Sequence, residues 1–126
     1  MKKNSEYIAE FLNLVSDAQT KYRVYVDEVN TQDKLTQDYL HKLELGELKC
    51  EERSKVATKL AINRQDRRYY KDRVEELEPI VKFFEDPANK KVLDKMRPLL
   101  GEVRKWESYH KDRKYIPRVL KEKKDG

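Results

Sequence analysis

The chain has 126 residues, 29 Lys and Arg against 24 Asp and Glu, and a formal net charge of +5, with 42% of side chains charged and 37% hydrophobic. That length suits one domain, 1–126, and three glycines and four prolines are too few for a turn-rich all-β fold. A mean hydropathy of −1.05 excludes a membrane span, and the single cysteine, Cys50, excludes an intrachain disulfide scaffold.

From Ile8, steps of three and four land on Phe11, Val15, Ala18, Tyr22, Tyr25, Val29, Gln32, Thr36, Tyr39 and Leu43. This sustained heptad predicts a first helix over about 5–45 with one seam. Asn4 or Ser5 is expected to cap it, and Gly46 to follow its end. Such a helix makes a rod of about 60 Å, which must pair with another element. From Cys50 the same spacing joins Val56, Leu60, Asn63, Arg67, Tyr70, Val74 and Leu77. The short connection predicts an antiparallel hairpin in which facing residue numbers sum to about 94. Gln32 then sits near Asn63, and Arg67 near Asp27 and Glu28, a polar layer that fixes register or lines a ligand pocket.

Pro79 is expected to kink the second helix or to open a new one. Ile80, Val81, Phe83 and Phe84 form the densest apolar cluster, and Asp86-Pro87 reads as a cap followed by a first-turn proline. A third helical region carries Val92, Met96, Leu99, Val103 and Trp106 at three-four spacing, with a bend expected at Pro98. From Tyr115 the chain reads as extended around Pro117, and residues 1–4 and 121–126 as flexible ends. The expected fold is therefore all-α, a coiled-coil-like hairpin with a third, proline-bent helix and an extended tail. So polar a chain has a thin core, which points to a partner or to a homo-oligomer.

Charge is uneven. Residues 27–52 carry a net −5, residues 59–73 a net +4 and residues 110–124 a net +5. Arg64, Arg68 and Lys71 share one helix face, with Tyr69 and Tyr70 beside it. Arg113, Tyr115 and Arg118 form a second basic, tyrosine-bearing group. Guanidinium forks match phosphate oxygens and tyrosine rings stack on bases, so both groups are candidate phosphate- or nucleotide-binding residues. The alternative is a solvated face balanced by the acidic first helix.

Catalytic patterns are lacking. Gly46, Gly101 and Gly126 make no phosphate loop, and Cys50, His41 and His110 are too few for a zinc site. Asp38-x-x-His41 and Glu107-x-x-His110 faintly echo di-metal helical bundles, but surface or capping roles are expected. No catalytic residue, metal or cofactor is assigned.

Four strings resemble a known family. They are Asp38-Tyr-Leu-His-Lys-Leu-Glu-Leu-Gly46, Arg67-Arg-Tyr-Tyr-Lys-Asp-Arg-Val-Glu-Glu-Leu-Glu-Pro79, Leu100-Gly-Glu-Val-Arg-Lys105 and Tyr109-His-Lys-Asp-Arg-Lys-Tyr-Ile-Pro-Arg-Val119. Together, over residues 5–120, the chain resembles small helical proteins encoded by phages and prophages of Gram-positive bacteria. The resemblance implies a phage-type accessory protein in a bacterial cytoplasm. The expected function is a non-enzymatic inhibitor that binds a host defence component, either a signalling nucleotide or a nuclease. The acids Asp27, Glu28, Asp33 and Asp38 could mimic phosphates against a nuclease. The alternatives are a nucleic-acid-binding accessory protein of phage replication or recombination, and a structural coiled-coil adaptor.

Overall fold

The structure, a computed structural model, describes residues 1–120. The expected tail at 121–126 lies outside the described residues. The chain forms three helices, α1 over Asn4–Leu45, α2 over Cys50–Glu85 and α3 over Pro87–Asp112, and no strand among the described residues. The fold is all-α. No helix of the described residues is long and apolar enough to cross a membrane.

α1 and α2 lie antiparallel. Phe11 meets Phe84 with ring centroids 6.1 Å apart, Tyr25 meets Tyr70 at 5.9 Å, and Gln32 meets Asn63 further along. The turn between them depends on Gly46, whose N–H donates to the Lys42 carbonyl at 3.0 Å. A Cβ there would lie 2.5 Å from that carbonyl oxygen, too close for any side chain.

Neither internal proline ends its helix. α2 runs through Pro79 and α3 runs through Pro98. The break falls at Asp86-Pro87, where proline's fixed φ and missing N–H suit a first turn. The Asp86 carboxylate accepts from the Ala88 N–H at 2.9 Å, and Asn89 Nδ2 donates back to the Phe83 carbonyl at 2.8 Å. One end of α2 and the start of α3 are thus both capped.

The core is thin. Only Val15, Ala18, Val56, Val81 and Leu93 are buried apolar residues among those described, with Ser5, Thr36 and Asn63 as the buried polar ones. On α3 the inward stripe is Leu93, Met96, Leu100, Val103 and Glu107. Of the stripe noted in the sequence, Val92, Leu99 and Trp106 are 52%, 45% and 59% exposed. Two heptad stripes on α3 share Met96 and Val103, so spacing does not decide which one turns inward.

Candidate functional site

The polar layer forms in the middle of the α1·α2 seam. Asn63, only 4% exposed, donates through Nδ2 to the Gln32 carbonyl at 2.9 Å and to Gln32 Oε1 at 2.8 Å. Its Oδ1 accepts from Thr36 Oγ1 at 2.6 Å. Every polar atom of the amide side chain except one hydrogen-bond site is engaged, which is the chemistry of a register lock rather than of an open ligand site.

Arg67 does not pair with Asp27 or Glu28. Its Nε donates to Asp33 Oδ1, about one and a half turns further along α1. Helical side chains lean toward their own N-terminus, and in an antiparallel pair the N-terminal direction of α2 is the C-terminal direction of α1. The long arginine therefore reaches the higher-numbered acid. Glu28 instead lies beside Tyr70, and its carboxylate, with burial and Asp66 adding to it, pushes the Tyr70 hydroxyl above its ordinary value.

Arg64, Arg68 and Tyr69 are exposed on α2, and Lys71 is half-buried. Arg68 lies 3.9 Å from Asp72 on its own helix, a solvated pair. Tyr69 is held between Tyr70, at 5.4 Å between ring centroids, and the Arg73 guanidinium, 5.1 Å above its ring. Arg73 also bonds Glu76 at 2.9 Å. Sequence reasoning counted Arg73 only as charge; its stacking on Tyr69 was signalled by the four-residue spacing. None of the five main hollows among the described residues is lined by Arg64, Arg68, Lys71, Tyr69 or Tyr70. The face is convex.

Arg113, Tyr115 and Arg118 stand apart from that face. They are exposed beyond the end of α3, where Arg113 takes up extended backbone. The end of α3 meets Ser5, whereas Tyr70 meets Tyr25, so about 30 Å of α1 separates the two groups. They are two surfaces.

At that end Glu107 completes the first turn of α1. Its Oε2 accepts from Ser5 Oγ at 2.6 Å and its Oε1 from the Ser5 N–H at 3.1 Å. Lys3, the residue preceding the helix, makes no side-chain cap, so neither Asn4 nor Ser5 caps its own helix as expected. The Ser5 hydroxyl above all, then the Ser5 N–H, Lys3 and Arg104, holds the Glu107 carboxyl below its usual range despite partial burial. Asp38 and His41 lie far off toward the other end of α1, so the two carboxylate–histidine fragments do not meet. Among the described residues, no three His, Cys, Asp or Glu side chains cluster as a metal site requires.

The densest apolar cluster of the sequence is partly surface. Phe11, Phe83, Phe84, Asn89, Val92 and Met96 wall a hollow of about 300 Å³ at the junction of the three helices. Phe83 is more than half exposed. No protein-family model matches the chain, and no curated protein or solved structure does either.

Proposed function

We propose that the chain is a non-enzymatic binding protein that engages nucleic acid through the exposed basic, tyrosine-bearing face of α2. The observation that carries this reading is the form of the face. Arg64, Arg68 and Lys71 stand at i, i+4 and i+7 on a convex surface beside the exposed ring of Tyr69. A small signalling nucleotide is held by a concave pocket that buries most of its surface. A convex row of cations over about 10 Å of helix instead suits an extended phosphate backbone, with Tyr69 as a stacking surface. Action on a host defence nuclease through the acids of α1 has less to support it, because Asp33 is bonded to Arg67.

The test is anisotropy of labelled single-stranded and duplex oligonucleotides titrated with the full chain at several salt concentrations. Affinity is expected to fall steeply with salt. The triple change Arg64→Ala, Arg68→Ala, Lys71→Ala is expected to lower the salt slope by roughly 2 to 3 while changing stability by under about 0.5 kcal/mol. Unchanged affinity in the triple variant, or no binding by the natural chain, refutes the reading.

A further inference from the structure

A second surface concerns the chain's own copies and is independent of the basic face. The outward side of α3 carries Val92, Met96, Leu99, Val103 and Trp106 at alternating four- and three-residue steps, the repeat by which helices pair. Its inward side already packs on α1 and α2. Met96 and Val103 belong to both stripes and are half-buried, whereas Val92, Leu99 and Trp106 are about half exposed, Trp106 packing on Tyr109 and His110 of its own helix at 5.7 and 5.9 Å between ring centroids. Of the two adjacent heptad stripes on α3, the chain's own helices cover the inward one and leave the outward one half exposed.

The surface area points the same way. A compact chain of 15.2 kDa exposes about 7,100 Å² by the usual scaling, and this one exposes 10838 Å². The elongated shape and the tail account for part of the excess. They do not account for its character, because Phe83, Val92, Leu99 and Trp106 are large apolar side chains left about half exposed. A stable dimer of ordinary size needs about 800 Å² from each partner.

We propose that the outer face of α3 is a homodimer interface, in which two copies of α3 pair antiparallel about a twofold axis near Leu99. Leu99 then meets its own counterpart. In that register residue numbers facing each other sum to about 198, so Val92 lies opposite the partner's Trp106, small against large. The hollow walled by Phe11, Phe83, Phe84, Asn89, Val92 and Met96 is next to Val92, and it is the socket for the partner's indole. Charge agrees with the same register. Lys95 flanks the stripe on one side, and it falls beside the partner's Glu102, an ion pair that the symmetry makes twice. A buried tryptophan seated in an apolar socket is the residue type that most often dominates such interfaces.

Trp106 is the sole tryptophan, so its fluorescence reads the interface directly. Sedimentation and emission spectra of the full chain across a dilution series test the proposal. The expected result is a mass of twice 15.2 kDa at micromolar concentration, with blue-shifted emission that moves to the red on dilution. Leu99→Glu and Trp106→Ala should each weaken dimerisation at least tenfold while leaving helical circular dichroism unchanged. Lys95→Glu and Glu102→Lys should each weaken it, and the double exchange should restore it. The proposal is overturned by a chain that stays monomeric at micromolar concentration, whether its tryptophan is solvated or shielded by its own tail. It is equally overturned by a dimer that neither Leu99→Glu nor Trp106→Ala disturbs, which would lie on another face. Failure of the double charge exchange to restore pairing sinks the antiparallel register.

Discussion

In the middle of the α1·α2 seam, Asn63 finds Gln32 and Thr36 at 2.6 to 2.9 Å and almost no solvent. On the outer side of α3, Val92, Leu99 and Trp106 follow the same spacing and look into water. The contrast shows what a heptad does and does not contain. Spacing says which side chains share a stripe. Only the chemistry interrupting the stripe says what it pairs with: an amide needs a complementary amide or hydroxyl opposite it, so Asn63 names its partner, whereas Leu99 accepts any apolar surface.

The contrast is broken most severely at Asn63. Asn63→Ala leaves Gln32 Oε1 without its donor and opens a gap in a closed seam, while the Thr36 hydroxyl keeps the Gln32 carbonyl at 2.9 Å, and should lower the unfolding free energy by about 2 kcal/mol in urea titration. A smaller effect is expected at the edge of the same layer. Arg67 is 19% exposed but Asp33 is 47% exposed, so their pair is half in solvent. Arg67→Ala should therefore cost about 1 kcal/mol or less, against about 3–5 for a fully buried pair. A double-mutant cycle of Arg67→Ala with Asp33→Ala should show coupling, and one with Asp27→Ala should show none.

The smallest effect sharpens the comparison at the far end of α1. The lowered Glu107 carboxyl binds its proton more weakly folded than unfolded. Its contribution is thus present above the ordinary carboxyl value of 4.5 and is lost as pH falls through the folded value. Melting temperatures followed from pH 6 downward should decline less steeply in Glu107→Gln than in the natural chain. Parallel profiles would mean that the Ser5–Glu107 contact does not persist in solution.

The hairpin was largely legible in the residues. Three-four spacing, Gly46 and the Gln32–Asn63 match were enough to predict two antiparallel helices and their register. The partner of Arg67 was not legible, because counting facing positions ignores the lean of long side chains along the helix. The inward face of α3 was hidden for a different reason: Leu93 and Leu100 compete with Val92 and Leu99 for one role. The choice is made by the tight Asp86-Pro87 junction and by Glu107 reaching Ser5, a contact no local pattern announces. For the basic residues, sequence placed Arg64, Arg68 and Lys71 together on α2 and Arg113, Tyr115 and Arg118 in a second group, but only the length of α1 says how far apart the two stand.

The Ser5–Glu107 contact spans 102 residues of chain, and that separation has a consequence for the order of folding. The hairpin closes through the few residues around Gly46, so its pairing is local in sequence and fast. The opening turn of α1 is different. During synthesis it emerges ahead of the hairpin, yet the carboxylate that satisfies its amide follows 102 residues later. Until then those amides exchange freely with water, and the seam zips from the Gly46 end toward an unfinished start. Hydrogen exchange pulsed during refolding should accordingly protect amides around Gln32 and Asn63 first and the N–H of Ser5 last.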